Sequence, residues 1–248
     1  MKILEVCCAD IESVRAAKAG GADRIELCSG LECGGLTPSL GLIRKAIEIM
    51  PGAVNVLIRP RSGDFLYSPA ELDVIEEDIR VATAAGATGI VFGALTPSGD
   101  LDTAVLGRMI AISRPASFTL HRAFDVVRDP LSALDQAIAL GVDRILTSGC
   151  CPDALSGAEM LSRLHARAGG RLKILAGAGI NSNNVCRILE LGRPDEIHAS
   201  CKTSINSGMD FRNPSVSMGT PGSDEYARSG TSEVFVRELS NLIHNYPL

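Results

Sequence analysis

Four times along the chain an Ala- and Leu-rich amphipathic stretch stops at a glycine and gives way to a short apolar run. The copies are GADRIELC at 21–28, GATGIVFG at 86–93, GVDRILTS at 141–148 and, with one inserted residue, GRPDEIHAS at 192–200. Glycine takes the left-handed φ that ends a helix, so each copy marks a helix-to-strand junction. Four more apolar runs lie between them, ILEVC (3–7), VNVLIR (54–59), SFTLHR (117–122) and LKILAG (172–177), bringing the strands to eight. The intervening segments carry helix signals: Asp10 as an N-cap, Pro69 in a first turn, and Asp129 with Pro130 opening another. Even alternation of buried strands with amphipathic helices predicts a single α/β domain over residues 1–248, a (βα)8 TIM barrel with a parallel eight-stranded core. The competing fold, a doubly wound open sheet, fits less well because no GxGxxG follows the first strand and no break divides the repeat.

The net charge of −5 argues against nucleic acid and against an anionic membrane surface as the main partner. The amino-terminal stretch lacks the pattern of a signal peptide and no apolar run is long enough to span a bilayer, so the expected location is cytoplasmic. Eight cysteines in a reducing compartment read as free thiols, and they lack the CxxC pairing of a structural zinc site. A free cysteine is most often a small buried hydrophobe. Cys7–Cys8 and Cys150–Cys151 are adjacent pairs, so at most one of each points into any given site.

This fold keeps its chemistry at the carboxyl ends of the strands. Residues two apart on a strand share a face, which puts Glu5 with Cys7 on strand 1 and Glu26 with Cys28 on strand 2. In the repeat alignment His198 of strand 8 occupies the Glu26 position, and strand 8 neighbours strand 1 in a closed barrel. Strand 3 ends in Arg59, and strand 5 ends in LHRAFD with His121, Arg122 and Asp125. So many charges are tolerable only if they face one another or water, which predicts a polar site rather than a plug at the barrel mouth. LTSGC after strand 6 offers the Thr147 and Ser148 hydroxyls. The Gly-rich turn LAGAGIN after strand 7, with Gly177 and Gly179, lies where barrels often hold phosphate on backbone N–H groups. Residues 201–230, rich in Ser, Gly, Pro and Asn, read as a long loop that either covers the mouth or makes an oligomer contact, with disorder as the alternative.

EVC at 5–7, GGADRIELCSGLECGGLTPS at 20–39, IRPRSGDFLYS at 58–68, VFGALTPSGDLD at 91–102, HRAFDVVRDP at 121–130, RILTSG at 144–149 and SGMDFRNPSVSMG at 207–219 together resemble the CutC family, the so-called copper homeostasis proteins. The resemblance covers nearly the whole chain. It implies a cytosolic, self-associating (βα)8 barrel with a role in copper handling. It also implies Cu(I)-binding thiols at Cys7 and Cys28, and a polar mouth set of Glu5, Glu26, Arg59, His121, Arg122 and His198. Cys8, Cys33, Cys150 and Cys151 receive no role from it.

Two functional expectations follow. In the first, Cys7 and Cys28 bind the soft ion Cu(I) on one barrel face. In the second, the barrel is an enzyme acting on a small anionic or phosphorylated molecule. There Arg59, Arg122, Asp125, Ser148, Gly177 and Gly179 hold the ligand, Glu5 or Glu26 is the base, and His121 or His198 is the acid. The arginines favour an anionic ligand over a metal, and no sequence feature names a reaction.

Overall fold

In the computed structural model, which describes residues 2–213, 215–216 and 224–247, eight parallel strands close into a barrel in sequence order. They are β1 (Ile3–Cys8), β2 (Arg24–Leu27), β3 (Val54–Leu57), β4 (Gly89–Phe92), β5 (Ser117–Leu120), β6 (Arg144–Thr147), β7 (Lys173–Ala176) and β8 (Glu196–Ala199). Outside them lie α1 (Ile11–Gly20), α2 (Leu40–Ile49), α3 (Pro69–Ala84), α4 (Thr103–Ser113), α5 (Pro130–Ala139), α6 (Ala158–Ala168), α7 (Val185–Gly192) and α8 (Glu233–His244). The expected (βα)8 barrel is the fold found.

The helices begin where local chemistry starts them. Asp10 accepts the Ser13 N–H at 2.7 Å, Ser68 and Glu71 form a reciprocal capping box around Pro69, and Asp129 caps α5 ahead of Pro130. Gly21 ends α1 at φ 89°, which a side-chain-bearing residue resists.

The repeat explains the register. Its third position is Asp23, Asp143 and Asp195 in three copies. Each carboxylate accepts a backbone N–H from the second residue of the preceding strand: Leu4 at 2.8 Å, Phe118 at 2.7 Å and Ile174 at 2.9 Å. The fifth position is Ile25, Ile90, Ile145 and Ile197, all fully buried between barrel and helices. One residue further along, alternation turns the chain inward, at Glu26, Val91, Leu146 and His198.

Residues 201–230, expected as an irregular loop, contain an antiparallel hairpin of β9 (Lys202–Asn206) and β10 (Ala227–Thr231). Ile205 packs across Gly230, where a β-carbon would lie 2.3 Å from Ile205 Cδ1. The hairpin is tied to the start of α1 by an ion pair between Arg228 and Asp10 and by the Thr231 N–H donating to Ser13 Oγ at 3.1 Å. Residues 214 and 217–223, part of the expected loop, lie outside the described residues. Among those described, no helix is long and apolar enough to cross a membrane.

Candidate functional site

A cavity of about 460 Å³ opens at the carboxyl ends of the strands. Its lining includes Cys7, Glu26, Arg59, His121, Arg122, Asp125 and His198, together with Phe65 and Leu57. Cys28 lies just behind Cys7, with the two Sγ atoms 3.6 Å apart, and both pack with Leu57 and Val91. Cys8 points the other way, into the core between barrel and helices. Cys33, exposed on the turn after β2, reaches the rim of the cavity.

One donor atom from each of Cys7, Glu26 and His198 lies within 4.8 Å of the others. Three neighbouring strands supply them, because β1 pairs with both β2 and β8. Glu5 lies beneath the cavity, fully buried, and accepts from His198 Nδ1 at 2.9 Å, Arg24 Nε at 2.5 Å and Asn55 Nδ2 at 3.1 Å. With Nδ1 turned down to Glu5, His198 Nε2 faces Glu26 at 3.8 Å. Carboxylate behind imidazole is the arrangement that fixes a histidine's orientation at a metal.

The charges set one another. Burial opposes the Glu5 charge, but Arg24 and His198 outweigh it and hold the carboxyl at about 2. Burial also opposes a charge on His198, yet Glu26, the Cys7 contact and Glu5 raise the imidazole well above its usual value. Burial raises Glu26, and the nearby Glu5 charge works in the same direction against His198. The Cys7 thiol, hydrogen-bonded to the Cys28 thiol and buried, is pushed well above an ordinary cysteine.

Below this set runs a second layer absent from the sequence expectations. Arg24 pairs with Glu5 and Glu196, and Arg144 pairs with Glu196 at 3.2 Å while bonding Ser117 and Thr119. The signal was present: Arg24, Arg144 and Glu196 share the fourth position of the repeat, two residues below Glu26, Leu146 and His198. Counting both layers, Arg24, Arg144 and protonated His198 face Glu5, Glu26 and Glu196, so the charges within these two layers balance.

The rest of the mouth separates into distinct environments. Arg59 is buried and donates to the backbone carbonyls of Cys33, Gly35 and Gly63. Burial brings His121 down to about 3, a neutral ring at pH 7, and its Nδ1 accepts the Ala123 N–H at 3.1 Å. Arg122 pairs with Asp125 at 2.7 Å and donates to Ser148 Oγ, while Asp125 also accepts from Thr147 and from the N–H groups of Ser148 and Cys150. Gly177 leaves room for Leu146, whose Cδ1 would lie 2.6 Å from a β-carbon there. Gly179 does not join the mouth; it lines a separate depression of about 310 Å³ with Asn181, Ser200 and Lys202.

The sequence profile of the CutC family matches residues 2–203. The chain belongs to the CutC family. It is 46% identical over 244 residues to the human copper homeostasis protein cutC homolog, covering 98% of this chain and 89% of that one. It is 47% identical to a CutC family protein of Bacteroides fragilis, covering 95% of each. Among solved structures, the putative copper homeostasis protein CutC of Streptococcus agalactiae aligns at 30% identity and a TM-score of 0.76, over 80% of this chain and 98% of that one. N-(5'-phosphoribosyl)anthranilate isomerase of Pyrococcus furiosus, at 12% identity and a TM-score of 0.56, shares the fold alone.

In this CutC family member the cavity therefore has two chemistries. Soft sulfur, imidazole and carboxylate donors meet on the β1, β2 and β8 side, a set suited to a thiophilic metal. Guanidinium and neutral imidazole lie on the β3 and β5 side, where an anion fits better.

Proposed function

We propose that the barrel mouth binds Cu(I) as cargo in copper homeostasis, with Cys7 and Cys28 as thiolate donors and His198 Nε2 as the third ligand. One observation carries this reading: two thiols 3.6 Å apart at the foot of an open cavity, one of them grouped with an imidazole and a carboxylate within 4.8 Å. Thiolate and imidazole select soft or borderline ions, and Cu(I) accepts low coordination by such donors. Glu5 supports the site by holding His198, and Glu26 receives the proton that His198 releases on binding. The names of the human and streptococcal relatives agree with this role. A site that works through reduced thiols supports a cytoplasmic location. The exposed Met209 and Phe211 beyond β9 support self-association.

The test is anaerobic titration of metal-free protein with Cu(I) against a competing chelator. One-to-one binding that is lost when Cys7→Ser and Cys28→Ser are combined supports the reading, and equal binding by that variant contradicts it. A second reading, acid–base catalysis on a small anion, is favoured by one observation: His198 is held charged 3.8 Å from a carboxyl that burial raises. It requires turnover that Glu26→Gln abolishes while Cys28→Ser does not.

A further inference from the structure

A bound Cu(I) ion fills only a small part of a cavity of about 460 Å³, a volume typical of sites for small organic molecules. The wall opposite the thiols has features that a metal does not use. Arg59 is 7% exposed, three of its four terminal N–H groups donate to backbone carbonyls, and no carboxylate pairs with it among the described residues. Its Nε, although buried, has no hydrogen-bond partner among them. His121 is 5% exposed and accepts the Ala123 N–H on Nδ1, which fixes the proton of the neutral ring on Nε2. That N–H is also buried without a partner. Both side chains flank Phe65, with Arg59 Cζ 5.3 Å from the ring centroid and the His121 ring 4.9 Å from it. An unmet guanidinium charge and an unmet N–H donor, buried side by side, are both costly until an acceptor of negative charge arrives.

We propose that Arg59, Phe65 and His121 form a subsite for the carboxylate group of a small organic ligand. A single unmet positive charge calls for a single negative one. A carboxylate supplies that charge with two acceptor oxygens, whereas a phosphate dianion would leave surplus charge buried. Arg122 is excluded from this role because Asp125 already meets its charge. The identity of the ligand rests on the Cu(I) reading of the opposite wall: a carboxylate-bearing thiol that carries the metal, with its carboxylate on Arg59 and His121 and its sulfur toward Cys7 and Cys28. Transfer is then ligand exchange. The carrier's Cu–S bond breaks as the Cys7 and Cys28 S–Cu bonds form, one thiol proton passes to the carrier thiolate and the other to solvent, and copper stays Cu(I).

The probe is S-methylglutathione, which has carboxylates but no free thiol, titrated calorimetrically into metal-free wild-type protein alongside its diethyl ester. The expected result is saturable binding by the acid and binding weaker by roughly tenfold or more for the ester, the worth of one charge-assisted hydrogen bond. His121→Asn keeps an acceptor for the Ala123 N–H but deletes the Nε2–H, and a similar loss is expected there. Absence of binding to wild type, or equal binding of acid and ester, overturns the subsite whatever Cu(I) does. Failure of the metal reading shows separately: if Cu(I) binds wild type and the Cys7→Ser, Cys28→Ser variant equally, the carrier assignment is overturned although the acid-versus-ester difference stands.

Discussion

Glu5 holds the polar interior together, and Glu5→Gln tests this. Its carboxylate accepts from Arg24, Asn55 and His198 at 0% exposure. Lowering a carboxyl from 4.5 to about 2 on folding corresponds to about 3 kcal/mol of stability at neutral pH. Breaking a buried ion network by removing one partner costs about 3–5 kcal/mol, so the two routes agree. For a domain of this size that is a fall in Tm of about 6–12 °C. The sign with pH follows from the depressed value: the contribution is whole above about 4.5 and fades as pH falls toward 2, so the wild-type and variant curves should converge on acidification. Urea unfolding of both proteins at a series of pH values measures it. A Glu5→Gln protein as stable as wild type at pH 7, or a difference unchanged from pH 6 to the most acidic folded condition, refutes the reasoning.

Cu(I) affinity should climb with pH, because the two thiols must each lose a proton to ligate, with Cys7 raised, while the His198 proton stays on Glu26; two protons leaving for solvent give roughly hundredfold per pH unit, read by chelator competition between pH 6 and 8. Asp195→Ala leaves the Ile174 N–H without its 2.9 Å acceptor and should cost about 1–3 kcal/mol in denaturant unfolding without changing Cu(I) stoichiometry. Cys8→Ala removes a fully buried thiol from the outer core and should destabilise by about 1–2 kcal/mol while Cu(I) stoichiometry stays the same, in contrast to Cys7→Ser.

The barrel was legible because its strands are spaced by a repeat whose glycine, aspartate and isoleucine positions each have a separate physical task. Parity within β1 and β2, the repeat alignment that put His198 at the Glu26 position, and closure of the barrel together brought Cys7, Glu26 and His198 to one mouth. The Arg24, Arg144 and Glu196 layer was in the same columns but went unread, because a charge at the first residue of a strand looks like a solvated end. Arg59 was legible as a mouth residue, yet its partners were not: they are backbone carbonyls of Cys33, Gly35 and Gly63, placed by loop conformation. The same holds for His121, whose neutrality depends on burial beside Phe65 and Phe92. The β9–β10 hairpin was hidden by composition, since KTSIN and ARSGT dilute Thr and Ile with Lys, Ser, Asn, Arg and Gly and pair across a long separation.

X-ray absorption at the copper edge of anaerobically Cu(I)-loaded protein tests the central claim most directly. The account expects a first shell of two sulfurs and one imidazole nitrogen, with the nitrogen lost in His198→Ala and the sulfurs lost when Cys7→Ser and Cys28→Ser are combined. A shell of nitrogen and oxygen alone, or sulfur that persists in the double variant, contradicts it.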